Sequence, residues 1–331
     1  MGAPLLLVLD GNSLLHRAYH AAATGKLLDR DGRPVWAVKG LIGYVAKSAA
    51  RLRPDAVVVG FDCPRSSARK VDYPGYKAQR PDKPADLVEQ LLLAPELLRA
   101  AGFCAVVPES YEADDVLASS AAAARRGGWR SVVVTSDRDA YALIDESTAV
   151  LSIRNGGLEQ AVMVDAAGLP GVCGVQPWQY RDFAALRGDP SDNLDGVRGF
   201  GSATAARLLA EFGTADAAFA ALDSGDGAAV RALVGEGLAE HLRAGREVVE
   251  RNRRLMRMRT DLPVPDLDTA RLPLDYAAMR AALSERGIHL GPSLWALTGR
   301  SEPLPEVILP APRARTTRAR REPCESQLTL F

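Results

Sequence analysis

An α/β domain built on a parallel sheet, followed by a helical region, is the fold this sequence predicts. Three observations carry it. Short, continuous, β-branched apolar runs recur through the first half, as strands buried on both faces require. Helical patterns alternate with those runs. After residue 175 the strands stop and only helical patterns continue.

The first run, Leu5 to Leu9, ends in Asp10-Gly11-Asn12-Ser13. Val57 to Phe61 ends in Asp62, and Phe103 to Val107 stops at Pro108. Ser131 to Thr135 leads to Ser136-Asp137, and Thr148 to Ile153 ends near Arg154-Asn155-Gly156. Trp36 to Leu52, Asp86 to Ala101 and Glu112 to Arg126 read as the intervening helices, with Pro95 expected to kink or split the second. Beyond residue 175, helices are expected over Gln176 to Arg187, Ser202 to Phe212, Ala215 to Leu222, Ala228 to Leu233 and Leu238 to Met258. The predicted organisation is an α/β domain over 1–175, a helical subdomain over 176–298, and a Pro- and Arg-rich tail over 299–331 whose composition reads as disordered.

Composition sets the class. The chain has 331 residues, 47% apolar and 25% charged, which excludes disordered, collagenous and disulfide-scaffold proteins. No apolar run approaches the roughly 20 residues of a membrane span, and Leu5 to Leu9 is too short for a signal peptide, so a cytoplasmic protein is expected. The four cysteines, at 63, 104, 173 and 324, lack zinc spacing and read as reduced thiols. With 41 basic and 41 acidic residues, any nucleic-acid surface must be a local basic patch beside a local acidic one.

The acidic residues are so placed. In a parallel sheet, Asp10, Asp62 and Asp137 share the C-terminal edge, where open α/β sheets bind ligands. Glu112, Asp114 and Asp115 open a helix just after the third strand, Asp139 follows Asp137, and Asp189 and Asp192 sit three apart in Gly188-Asp-Pro-Ser-Asp-Asn193. Singly, each has an ordinary reading as a cap, a dipole partner or a turn residue. Together, nine carboxylates on one edge repel by several kcal/mol unless cations neutralise them. Hard oxygen donors select Mg²⁺ or Mn²⁺, and two such ions about 4 Å apart are the known device for phosphodiester cleavage. His16, His20, His241 and His289 lie outside the acidic motifs and read as packed or exposed residues, not ligands.

Two segments suit a phosphate backbone. Arg65, Arg69, Lys70, Lys77, Arg80 and Lys83, interleaved with Tyr73 and Tyr76, directly follow Asp62. Asp195-Gly196-Val-Arg198-Gly199-Phe-Gly201-Ser202 is a glycine hairpin opening into a helix, whose N-terminus offers free N–H groups.

The ordered series Asp10-Gly-Asn, Gly60-Phe-Asp62, Tyr73-Pro-Gly-Tyr-Lys-Ala-Gln-Arg80, Tyr111-Glu-Ala-Asp-Asp-Val-Leu117, Thr135-Ser-Asp-Arg-Asp139, Gly188-Asp-Pro-Ser-Asp-Asn193 and Gly196-Val-Arg-Gly-Phe-Gly201 resembles the bacterial 5′-nuclease (flap endonuclease-like) family over residues 4–295. That family includes the 5′–3′ exonuclease domain of bacterial DNA polymerase I, and this chain looks like its stand-alone form. Gln79 and Cys63 depart from the usual Asn and Ala without removing a ligand. The resemblance implies a PIN-like domain, a helical arch over about 63–102, and a helix–three-turn–helix module. It implies one metal site on Asp10, Asp62, Glu112, Asp114 and Asp115, and another on Asp137, Asp139, Asp189 and Asp192. Arg69, Lys77 and Arg80 would contact the scissile phosphate, beside Tyr73 and Tyr76. Gly196, Arg198, Gly199, Gly201 and Ser202 would grip duplex DNA, with K⁺ bound at the helix–hairpin–helix.

The last residues resemble the peptide by which bacterial replication proteins bind the β sliding clamp: Gln327, Leu328, Leu330 and Phe331 supply a polar anchor and apolar anchors on a tether. The implied protein is a monomeric, nucleoid-associated 5′–3′ exonuclease and flap endonuclease, hydrolysing DNA phosphodiesters by two-metal-ion catalysis in primer removal and repair. Its rivals are a PIN-type ribonuclease and a catalytically inactive, clamp-tethered factor that binds branched DNA.

Overall fold

In the computed structural model, residues 2–21, 25–289 and 292–299 are described. The tail and its clamp-like peptide lie outside the described residues. Strands β1 (Leu5–Asp10), β2 (Ala56–Gly60), β3 (Cys104–Val106), β4 (Arg130–Thr135), β5 (Thr148–Arg154) and β6 (Gly157–Val164) form one sheet in the order β3-β2-β1-β4-β5-β6. β1 to β5 are parallel, and β6 runs antiparallel to β5.

The apolar runs are continuous because both sheet faces are covered. Leu6, Val8, Val58, Val133 and Val150 pack on one side with Val116, Leu117, Tyr180 and Phe183. Leu7, Leu9, Val57, Val59 and Val134 pack on the other with Leu14, Leu41, Val45 and Leu98. Alternate residues of each strand thus enter different cores, the period-two rule with no polar face.

The helices are α1 (Gly11–Ala21), α2 (Trp36–Leu52), α3 (Ala68–Asp72), α4 (Ala85–Ala100), α5 (Ala113–Arg126), α6 (Leu169–Cys173), α7 (Tyr180–Arg187), α8 (Ser202–Phe212), α9 (Ala215–Asp223), α10 (Ala228–Val234), α11 (Glu236–Ala244), α12 (Arg246–Leu255), α13 (Tyr276–Glu285) and α14 (Trp295–Thr298). Among the described residues none is long and apolar enough to cross a membrane.

Four expectations need correction. Pro95 neither splits nor ends α4, which runs through it with the ring buried, so packing outweighs the one lost helical bond. The single helix expected over Leu238 to Met258 is two, broken at Gly245, where a side chain would meet Val197 at 2.9 Å. β6 was not expected: a register shift between Ser152 and Arg154 spaces its buried residues Leu158, Ala161 and Val164 by three, which hides a strand period. The helical subdomain also ends before residue 298. Leu272 donates its N–H to Asp55 O at 2.9 Å, and Met279, Leu283 and Leu297 join the α1–α2 core. Residues 1–300 accordingly form a single compact unit.

Candidate active site

The C-terminal edge of the sheet opens into a cleft of about 790 Å³. Its floor carries Asp10, Asp62, Asp114 and Asp137; one wall carries His16, Arg17 and His20, and another Lys77, Arg80 and Lys83. Each acid is delivered by an element end. Asp10 is the last residue of β1, and its carboxylate accepts from Ser13 N at 2.9 Å and Thr135 Oγ1 at 2.8 Å. Asp62 lies two residues past β2 and accepts from Asn12 Nδ2 at 2.7 Å and Ala113 N at 2.8 Å. Asp137 lies two residues past β4, exposed, with its N–H on Thr135 Oγ1 at 3.0 Å. Asp114 stands in the first turn of α5.

A second acidic group adjoins the first. Asp139 sits near Asp137, Asp189 and Asp192. Asp189 caps a 3-10 turn, Pro190–Asp192, through Ser191 N at 2.8 Å. Burial, reinforced by Asp62 and Asp137, raises the Asp10 carboxyl to about 7. Burial, Asp137 and Asp10 raise Asp114 well above the carboxylate range. Burial, Asp137, Asp189 and Asp192 raise Asp139 to about 8. Buried acids whose charged neighbours are mainly other carboxylates mark where a cation would be stabilised.

Glu112 and Asp115 behave differently. Asp115 is fully buried and its carboxylate is saturated: Arg69 donates Nη1 at 2.7 Å and Nη2 at 2.8 Å, Arg259 donates N at 2.8 Å, and Glu112 donates N at 3.1 Å. Glu112 accepts from Ser67 Oγ at 2.8 Å, Lys77 Nζ at 2.9 Å and Tyr76 Oη at 3.1 Å. Burial would raise Glu112, but Lys77 and Arg69 outweigh it and hold the group below the usual range. The chain thus supplies internal counter-ions to both of these expected metal ligands, as Arg80 and Lys77 do to Asp192.

Three side chains expected to meet the substrate are engaged elsewhere in the protein. Arg69 does not face the cleft, because its remaining donors go to Leu255 O at 2.8 Å and Arg257 O at 3.4 Å. Tyr76 does not offer a stacking face, being 4% exposed with its hydroxyl on Glu112 and Lys77 Nζ lying 4.7 Å above its ring. Tyr73 is covered by the Arg251 guanidinium at 4.8 Å. Lys77 and Arg80 do line the cleft. Burial alone would lower Lys77, but Glu112, Asp192 and Asp114 raise it, so it stays charged. Arg80 reaches Asp192 at 2.6 Å.

Sequence reasoning passed over His16, His20 and the polar supports Asn12 and Thr135. The signal was available. α1 starts immediately after Asp10, and His16 and His20 are i, i+4 on it, so one helical face rises from the acidic edge. Burial, then Lys83, His20 and Arg80, lower His16 to about 4, so its imidazole is neutral at physiological pH.

The glycine hairpin joins α7 to α8. Val197 and Phe200 are buried anchors, while Arg198, Gly199, Gly201 and Ser202 face solvent. Gly199 has φ +80°, a conformation that favours glycine. Val197 N donates to Leu186 O at 2.9 Å, which fixes the hairpin on α7.

A divalent ion fits the cleft by chemistry: its donors are carboxylate oxygens, the hard ligands that Mg²⁺ and Mn²⁺ take. Among the described residues, no three acidic, His or Cys side chains converge into a ready-made ligand shell.

Comparison with known proteins places the chain in a family. The model for the 5′–3′ exonuclease N-terminal resolvase-like domain matches residues 5–169, and that for the 5′–3′ exonuclease C-terminal SAM fold matches residues 175–277. DNA polymerase I of Mycobacterium leprae is 38% identical over 270 residues, 81% of this chain and 28% of the relative. The thermostable DNA polymerase I of Thermus aquaticus is 35% identical over 281 residues, 85% of this chain and 31% of the relative. The chain thus spans about three tenths of the length of these polymerases. Among solved structures, the T5 5′-exonuclease with bound zinc shares the fold at a TM-score of 0.63 and 18% identity, covering 89% of this chain and 97% of that one. A bacteriophage T5 flap endonuclease with DNA and metal ions does so at 0.60 and 19%, covering 86% and 93%. The two matched domains together run from residue 5 to 277, and the chain belongs to the 5′–3′ exonuclease family of nucleases.

Proposed function

We propose that this chain is a divalent-metal-dependent 5′-nuclease that hydrolyses DNA phosphodiesters at 5′ ends and at the base of 5′ flaps. The observation that carries the reading is the cleft itself, in which four carboxylates, Asp10, Asp62, Asp114 and Asp137, meet the cations Lys77, Arg80 and Lys83. Asp10, Asp62, Asp114 and Asp137 would hold one Mg²⁺ or Mn²⁺, and Asp139, Asp189 and Asp192 a second. Bound there, the ions would supply an activated water and neutralise charge on the reacting phosphate.

The protein's own groups do the rest. Asn12 and Thr135 keep Asp62 and Asp10 aimed into the cleft. Lys77, held charged, faces the phosphate and offsets the charge that builds on it. Arg80 and Lys83 extend that field along the wall toward the next phosphate. The hairpin's backbone N–H groups, Arg198 and Ser202 grip the duplex away from the cut, with K⁺ at the hairpin. This hairpin favours DNA over the single-stranded RNA that a simpler PIN-type ribonuclease would take. Removal of RNA-primed 5′ ends during replication, and repair, would be its duties. Gln327, Leu328, Leu330 and Phe331 would dock it on the sliding clamp.

The test is cleavage of an end-labelled 5′-flap duplex. Cutting near the junction with Mg²⁺, abolished by EDTA and by Asp137→Ala, is expected. Flap binding without cutting in either Mg²⁺ or Mn²⁺ would overturn the enzyme reading and leave a branched-DNA-binding factor.

A further inference from the structure

The segment Gly188–Asp195 is a two-stranded ribbon, Gly188 opposite Asp195 and Asp189 opposite Leu194, closed by the Pro190–Asp192 turn. One end runs straight into the Gly196–Gly201 hairpin. The other end meets the loop that carries Lys77. Two hydrogen bonds join them: Asn193 Nδ2 donates to Gly75 O at 2.7 Å, and Lys77 N donates to Asp192 O at 2.9 Å. Gln79 adds a third through its side-chain amide on Pro190 O, and Arg80 adds two more, Nε to Ser191 O at 3.1 Å and Nη2 to Asp192 Oδ1 at 2.6 Å. Below these bonds Leu194, Tyr76 and Leu255 pack together.

The backbone at this junction is held in uncommon conformations. Lys77 has φ +54° and Asn193 φ +59°. A lysine rarely adopts the left-handed region unless its surroundings impose it, and here the ribbon does. Asparagine suits position 193 for two separate reasons. It tolerates the left-handed region better than other side chains, and its amide can donate to a carbonyl, which an aspartate cannot. The far end of the ribbon is equally fixed. Asn252 Nδ2 holds Asp195 O at 2.8 Å, and a side chain on Gly196 would lie 2.3 Å from Arg187 carbonyl atoms.

We infer that Asn193 is a positioning residue that holds Lys77 over the acidic cleft and ties its placement to the duplex-gripping hairpin through the ribbon. The inference rests on the role proposed above for Lys77. Asn193 touches no reacting atom; it acts by fixing the carbonyl of Gly75, two residues before Lys77. A cation displaced by about 1 Å loses much of its effect on a reacting phosphate, so its loss falls on the chemical step, not on DNA binding.

The experiment is single-turnover cleavage of 5′-flap DNA at saturating enzyme by Asn193→Asp and Asn193→Gly. Both keep the left-handed conformation and lose the donor. Each rate is measured on a flap with a full-length duplex and on one trimmed beyond the hairpin's reach. Roughly 10–100-fold slower cleavage is expected on the full substrate, with flap affinity in EDTA unchanged. The wild type should slow when the duplex is trimmed, and the variants, already uncoupled, should not slow further. Wild-type rates in both variants would overturn the inference, as would slow variants that keep the full response to trimming. Lys77→Ala is run in parallel. If it is slow while both Asn193 variants are fast, this inference alone fails; if it too is fast, the proposed role of Lys77 fails with it.

Discussion

Asp114 and Asp115 are adjacent in the first turn of α5, yet they live in opposite electrostatic environments. Asp115 turns inward to a guanidinium and two backbone N–H groups. Asp114 turns to the cleft, where its neighbours Asp137 and Asp10 are also acidic and push its proton affinity up. The contrast extends to the whole edge. Glu112 and Asp115 form ion pairs with Lys77 and Arg69, whereas burial and neighbouring carboxylates dominate at Asp10, Asp114 and Asp139. The first set holds Arg69, Lys77 and α5 in place. On the function proposed above, the second set would attract a cation from solution. A motif of three acids within four residues therefore mixes two jobs, which residue type alone does not separate.

That contrast can be broken by substitution. Asp114→Asn should reduce flap cleavage by roughly 10³-fold, the loss of several kcal/mol of charge stabilisation that an ion provides. The same change should raise the unfolding midpoint of the metal-free protein at pH 8, because it removes a repelled charge. Asp115→Ala should do the reverse to stability. It leaves the Arg69 guanidinium buried without its partner and should destabilise by roughly 3–5 kcal/mol, read by denaturant unfolding.

A pH series sharpens the contrast. The folded-state pKa values of Asp10 and Asp139, about 7 and about 8, lie above the ordinary 3.8. Over that interval the folded state binds more protons than the unfolded one, so metal-free stability is greatest below about pH 4 as far as these groups are concerned, and falls as pH rises toward 8. Saturating Mg²⁺ should flatten this slope, since a bound cation replaces the protons. Glu112 contributes the opposite sign: its lowered pKa gives stability that is lost as pH falls through the acid range. Thermal unfolding from about pH 2 to pH 8, with and without Mg²⁺, checks both. The smallest effect belongs to the hairpin. Arg198→Ala should weaken flap binding evenly across sequences and reduce the salt slope by about 1, with the cleavage rate at saturation unchanged.

Much of the fold was legible. α2 and α8 fall where their patterns place them, at Trp36–Leu52 and Ser202–Phe212, because an apolar stripe bounded by polar or glycine residues leaves little choice. β6 was not legible, since its bulge breaks the alternation, nor was the return of residues 267–299 to the first domain, which depends on contacts across more than 200 positions in the chain. At the site, Asp10, Asp62 and Asp137 were readable because strand ends announce the sheet edge. The fate of Arg69 was not: its partner lies 46 residues away and its other acceptors nearly 190 away, so its sequence neighbours pointed to the phosphate while its contacts point inward. His16 was missed for a simpler reason, since a helix starting at the acidic edge was not followed up its own face.

The most direct measurement is Mn²⁺ binding by titration calorimetry to the wild type, Asp114→Asn and Asp115→Asn, each checked by circular dichroism to be folded at the temperature used. The cation should be attracted where the chain supplies none of its own. Asp114→Asn should therefore lose most of its Mn²⁺ affinity, and Asp115→Asn should retain it. Full Mn²⁺ affinity in Asp114→Asn together with its loss in folded Asp115→Asn would contradict the account.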